Sequence, residues 1–336
     1  VMMKLKFIFL LLSLMLFLPS QANAEMAAWM QEASDNMHFK PYEYNGIFLK
    51  HPIGHDHASL EIDVSGRYFF KDENTNDSNL LGFNPFFSYT AKSDFFYTPF
   101  HDTRPSGPVI SRYQNPALHF KYVHGNSGLP NILKAIDTLP IEWADIGIEH
   151  ISNGQTLDAY DDNNRATILA AVAEKNYTVL DSISRTSASI ALTLSGNYKL
   201  KPIEFINKIG LSDDNYQNEV TGKVFFRHGQ ESKVFWGRYA NNDVNYNTFQ
   251  LVQLQWKIFL GATKSKNMPK QLTIGANFGN TWLADKSLDL MLNLPCHTPV
   301  FGTVPFTISS HIGPMSNLSN YSEKENTILF GLAFAY

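Results

Sequence analysis

The feature that most constrains this chain is a two-residue alternation of apolar and polar side chains that returns in segment after segment. Val252, Leu254, Trp256 and Ile258 alternate with Gln253, Gln255 and Lys257. Leu60, Ile62 and Val64 alternate with Glu61, Asp63 and Ser65, and Ile190, Leu192 and Leu194 with Ala191, Thr193 and Ser195. Leu272, Ile274, Ala276 and Phe278 alternate with Thr273, Gly275, Asn277 and Gly279. Successive side chains of a strand point to opposite faces, so each segment predicts a strand with one apolar and one polar face. Stretches rich in Asn, Asp, Ser and Gly, such as 71–79 and 212–218, separate them.

Two kinds of all-β protein fit this pattern. A soluble sandwich buries the apolar faces, whereas a transmembrane barrel turns them to lipid and keeps the polar faces in its lumen. After the first two dozen residues, no stretch approaches the roughly 20 apolar residues that a spanning helix needs. The net charge of −4 is unpatterned, which argues against a nucleic-acid partner, since that requires basic patches. Cys296 is the only cysteine, so an intrachain disulfide framework and a cysteine-based zinc site are excluded.

The ends of the sequence favour the barrel. Lys4 and Lys6 precede an apolar run from Phe7 to Leu18, and Ala22-Asn23-Ala24 supplies small residues before Glu25, so 1–24 is expected to be a signal peptide. Ile328, Phe330, Leu332, Phe334 and Tyr336 form the apolar row of a last strand that stops on an aromatic. That ending resembles the sorting signature of Gram-negative outer-membrane barrels. The expected organisation is an N-terminal arm over 25–57, with helical character around Met26 to Asn36, and one barrel domain over 58–336. Within the barrel, 155–183 reads as a long extracellular connection whose middle, Asn164 to Lys175, is helical.

Chemistry concentrates in the stretch from Trp143 to Gln155. Alternation puts Ala144, Ile146, Ile148, His150 and Ser152 on one face and Asp145, Gly147 and Glu149 on the other. In a barrel the aliphatic face meets lipid, so His150 and Ser152 continue a lipid-facing row into a polar loop. Polar groups in such a place are costly unless they have partners or a use. Two residues apart on one strand face, the Cα atoms lie about 6–7 Å apart and the side chains can meet. A serine beside a histidine base is the minimal activated nucleophile.

His150, Ser152, Asn153 and Gly154 match the His-x-Ser-Asn-Gly signature of the outer-membrane phospholipase A family, which this sequence resembles. Weaker similarity covers most of the mature chain, in Ser88 to Ser93, Ser106-Gly107-Pro108, Gly196-Asn197-Tyr198 and Asp213-Asp214-Asn215. The resemblance implies a barrel of twelve antiparallel strands in the outer membrane, active as a homodimer on membrane phospholipid. It implies Ser152 as nucleophile on an acyl ester, His150 as general base, and a Ca2+ ion that helps stabilise the oxyanion. Its calcium ligands carry over to Ser106, Gln155 and Ser184, with Asp214 matching an acidic residue linked to calcium in the monomer. The family orients its histidine with an asparagine on the strand after the loop. Counting from His150 reaches Asn164, the preferred third catalytic residue. Aligning on Ser184-Arg185 instead reaches Ala188, with Ser187 and Ser189 beside it.

The remaining candidates are weaker. His51, His55, Asp56 and His57 crowd together without regular ligand spacing and are expected to be a polar surface arm. His297, beside Cys296, is expected in a loop. Two rival functions stand: a lipid A deacylase barrel, and a non-catalytic barrel such as a porin or adhesin.

Overall fold

The computed structural model describes residues 39–53, 58–70, 83–96, 111–123, 141–155, 157, 162–174, 176, 179–180, 182–198, 217–228, 237–239, 242–244, 251–259, 271–279, 286–298, 302–314 and 326–334. The alternating segments all become strands. In chain order they are β1 (Asn45–Pro52), β2 (Ser59–Phe69), β3 (Asn84–Phe96), β4 (Ser111–Val123), β5 (Trp143–Ser152) and β6 (Thr186–Tyr198). They continue with β7 (Gln217–His228), β8 (Val252–Phe259), β9 (Gln271–Phe278), β10 (Lys286–Thr298), β11 (Gly302–Ile312) and β12 (Thr327–Phe334).

These twelve strands form a closed antiparallel barrel. Each pairs with the next in the chain, and β12 returns to β1 with Phe334 opposite Asn45 and Thr327 opposite Pro52. Closure leaves no sheet edge, which is the condition for strands to cross a bilayer, because every backbone group finds its partner on a neighbour. The two-residue strand Phe39–Lys40 extends β1 along β2, after an interruption at 41–44. Asn45 bridges that gap by imitating a backbone pair: its side chain donates to the Ser65 carbonyl at 3.0 Å and accepts from the Ser65 amide at 2.6 Å.

Polarity is inverted relative to a soluble protein. Ile146, Ile148, Ile190 and Val64 are exposed on the outside, while Lys50, Asp63, Asp94, His119, Asp145 and Glu149 are buried in the interior. Adjacent residues make the contrast plain, with Ile148 55% exposed and Glu149 2% exposed. Charges in the lumen persist because they are paired. Lys50 Nζ lies 3.2 Å from Glu61 Oε2 and 3.3 Å from Asp94 Oδ2, tying β1, β2 and β3 together beside the closure. An apolar exterior around a closed polar lumen makes the chain a multi-pass outer-membrane β-barrel.

The first strand corrects one boundary. Asn45–Pro52 lies inside the segment expected to be an arm, yet it is a barrel strand and makes the closure. The consecutive apolar residues Ile47, Phe48 and Leu49 hide its alternation; Phe48 is buried inward, whereas Ile47 is exposed outward. The helix expected over 26–36 lies outside the described residues. His51 is on β1, exposed and opposite Ile328, whereas His55, Asp56 and His57 are outside the described residues. His297 belongs to β10 rather than a loop. Helix α1 (Asp162–Glu174) occupies the middle of the β5–β6 connection, as the sequence suggested, and buries Ile168 and Ala171.

Candidate active site

Strand β5 carries the candidate site, and its inner face is firmly bound. Glu149 pairs with Lys223 of β7 and accepts from Asn115 Nδ2 of β4 at 3.3 Å. Asp145 accepts from His119 Nδ1 at 2.7 Å. These lumenal ties fix the strand's rotation, so the opposite parity must face outward. His150 is accordingly exposed in the row of Ile146 and Ile148, and Ser152 is half-buried one step further along. The inferred outward placement of both residues is what the structure has.

A tight neck follows the strand. Gly154 adopts φ 64°, in the left-handed region that favours glycine. Asn153 is fully buried, and its side chain grips the returning chain just before β6. Asn153 Nδ2 donates to the Ile183 carbonyl at 2.8 Å, and Oδ1 accepts from the Arg185 amide at 2.9 Å and the Gln155 amide at 3.4 Å. The backbone adds Asn153 N–H to Arg185 O at 3.1 Å, Leu157 N–H to Ser182 O at 2.9 Å and Ser184 N–H to Leu157 O at 2.8 Å. Buried Arg185 fastens the neck further, its guanidinium donating to the Leu180 and Ile183 carbonyls. Asn-Gly after the serine is thus the fastening of a long loop to the end of β5.

Register sets the neighbours. Ser152 lies opposite Gln114 of β4 and Thr186 of β6, and His150 lies opposite Ala188. His150 Nε2 is 3.4 Å from Thr186 Oγ1, and among the described residues no hydrogen bond joins His150 to Ser152. Asn164 sits in the first turn of α1 rather than on the strand after the loop. Ser187 and Ser189 are buried, on the inward parity of β6, and Ser187 Oγ accepts from Arg227 Nη1 at 2.9 Å. They face away from the imidazole.

The four residues linked to calcium divide in two. Ser106 and Asp214 lie outside the described residues. Gln155 and Ser184 are half-buried on the two sides of the neck, drawn together because Asn153 Oδ1 accepts from both the Gln155 and the Arg185 amides. Both offer carbonyl or hydroxyl oxygens, the hard donors calcium takes. Among the described residues no three His, Cys, Asp or Glu side chains cluster to hold a metal.

A serine–histidine–aspartate chain lies inside the barrel, apart from the candidate site. Ser88 Oγ is 2.9 Å from His119 Nε2, and His119 Nδ1 is 2.7 Å from Asp145 Oδ2. Its bonding order is that of a hydrolase triad, but all three residues are buried. Phe86 stacks on the imidazole at 4.5 Å between centroids, and Tyr42 packs against it at 5.3 Å. Buried, with one ring face stacked on Phe86, the chain serves to satisfy polar groups in the lumen. Its pattern was invisible in sequence because the three residues come from three different strands.

No protein-family model matches this chain, and no curated protein matches its sequence. Solved structures do match it. The calcium-bound outer membrane phospholipase dimer of Salmonella typhi is 12% identical with a TM-score of 0.53, over 91% of this chain and 95% of that one. Outer membrane phospholipase A from Escherichia coli is 13% identical with a TM-score of 0.52, over the same shares of 91% and 95%. The barrel is built like an outer-membrane phospholipase. At such identities the likeness concerns the fold.

Proposed function

We propose that this barrel is a calcium-dependent phospholipase A, hydrolysing acyl esters of phospholipids at the membrane surface with Ser152 as nucleophile and His150 as general base. The observation that carries the reading is the position of the pair. An imidazole and a hydroxyl continue the exposed aliphatic row of Ile146 and Ile148, at the strand end where a lipid ester group would lie. A barrel that only conducts or adheres has no need of polar side chains on that face, where each is costly without a partner.

In the reaction, Ser152 Oγ attacks the ester carbonyl carbon as His150 takes the hydroxyl proton. The tetrahedral intermediate collapses by breaking the bond to the leaving oxygen, which receives that proton from His150 and departs as the lysophospholipid. Water, deprotonated by the same imidazole, then cleaves the acyl-serine and releases the fatty acid. Gln155 and Ser184, with Ser106 and Asp214, would hold the calcium ion. Bound there, the ion supplies positive charge to the developing oxyanion. Asn164 is the third member that spacing along the chain prefers, and it is carried by α1 rather than by β6.

The same exterior suggests how activity is controlled. Two barrels meeting through the aliphatic row near Ile146 and Ile148 would wall an apolar cleft for acyl chains, an isologous contact that activates by association.

The test is hydrolysis of phospholipid in mixed micelles by the refolded chain, with calcium or a chelator. Ser152→Ala and His150→Ala should each lower kcat by several orders of magnitude while the barrel stays folded and heat-modifiable. Near-native turnover in either variant means that the site lies elsewhere, and no turnover in the unmodified chain favours a non-catalytic barrel.

A further inference from the structure

We propose that Thr186 is the positioning residue of the site, holding the His150 imidazole by accepting its Nε2–H; the inference rests on the hydrolase reading above. A histidine base on an exposed strand end turns freely about its side-chain bonds unless a third group fixes it. The strands beside β5 decide which group that is. On β6 the outward parity runs Thr186, Ala188, Ile190, and the residue directly opposite His150 is Ala188, which offers only a methyl. Ser187 and Ser189 have the other parity and are buried toward the lumen. On β4 the ladder passes from Gln114 opposite Ser152 to Ala117 opposite Glu149, and the intervening outward residue is Pro116, which offers no side-chain donor or acceptor.

Thr186 remains. It is displaced one pair along the ladder, opposite Ser152, and its Oγ1 reaches His150 Nε2 at 3.4 Å. As a β-branched residue in a strand it has restricted χ1, so its hydroxyl is held in place before substrate arrives. Accepting the Nε2 proton selects one tautomer and leaves Nδ1 with the lone pair that must take the Ser152 proton. Ser152 and Thr186 therefore flank one imidazole from adjacent strands, the first as attacking group and the second as support. A neutral hydroxyl supports an imidazolium less strongly than a carboxylate does, so the expected contribution is modest.

The test uses the full refolded chain with calcium in phospholipid mixed micelles, with Ser152→Ala as reference. Thr186→Val keeps the shape and suits an outward strand position, so the barrel should fold. It should lower kcat roughly ten- to hundredfold, the range for losing a hydrogen bond to a charged group. KM should stay within about twofold, because the effect belongs to the transition state. The rate of Ser152 labelling by a fluorophosphonate should fall by the same factor, and Thr186→Ser should restore most of both. If Thr186→Val turns over at the native rate while Ser152→Ala is inactive, the positioning role is wrong and the hydrolase reading survives. If Ser152→Ala retains turnover, the hydrolase reading fails and this inference goes with it. Fluorophosphonate found on Thr186 rather than Ser152 makes Thr186 the nucleophile and overturns its supporting role.

Discussion

Removing the Asn153 side chain should loosen the neck that follows β5 without unfolding the barrel. In Asn153→Ala the Ile183 carbonyl loses its 2.8 Å donor and the Arg185 amide loses the 2.9 Å Oδ1 acceptor, both in a buried setting. The Ile183 carbonyl keeps the Arg185 Nη1 donor at 3.4 Å, so the main loss is the unsatisfied Arg185 amide, which costs about 1–3 kcal/mol. The strand ladders on both sides of β5 do not depend on this side chain, so the loss should fall on the local opening of the neck. Taking the middle of that range, about 2 kcal/mol corresponds to roughly 30-fold faster opening-limited exchange. Hydrogen exchange at the Arg185 amide reads this directly, with amides in the centre of β6 as internal controls. Turnover should fall too, because the end of β5 that carries Ser152 and the flanking Gln155 and Ser184 would no longer be held together. Asn153→Asp keeps the acceptor and loses the Nδ2 donor, and it introduces a buried charge, so it should not rescue. Unchanged exchange at Arg185 together with native turnover in Asn153→Ala would refute the anchoring role.

Three further outcomes follow from the same geometry. Gly147→Ala should destabilise the barrel by about 1–3 kcal/mol, seen as a lower thermal midpoint of heat-modifiability, because its Cβ would lie 2.9 Å from His119 Cε1 and Nδ1 in a ring held by Ser88, Asp145 and Phe86; an unchanged midpoint contradicts the rigid packing of that ring. Turnover should require calcium and resist magnesium, which demands strict octahedral geometry and keeps its waters; full activity in excess chelator removes calcium from the mechanism. Once Cys296 is replaced, Ile148→Cys should react with a membrane-soluble maleimide and crosslink across the proposed dimer, while Gly147→Cys should do neither; equal labelling of the two would contradict the inverted polarity of β5.

Sequence alone determined what is local. The two-residue period of segments such as 252–258 and 190–195 specifies strands and assigns each side chain to a face, because the pleat repeats every second residue whatever lies beside it. The same parity put His150 and Ser152 outward with Ile146 and Ile148, and Asp145 and Glu149 inward. Closure and register were not legible in this way. They depend on which residues of distant strands lie side by side, and a shift along a ladder changes every neighbour while leaving each strand's own pattern intact. The first barrel strand escaped notice because Ile47, Phe48 and Leu49 mask its alternation, and only its pairing with β12 reveals it. Counting along the chain led to Asn164, since spacing assumes a loop of constant length and shape; helix α1 fills that loop and places Asn164 off the strand. Thr186 had the right parity all along, but its approach to His150 exists only through the β5–β6 register, which the neck at Asn153 and Arg185 holds in place. Faces follow from bonds within one strand, whereas contacts between strands follow from the hydrogen-bond ladder that joins them.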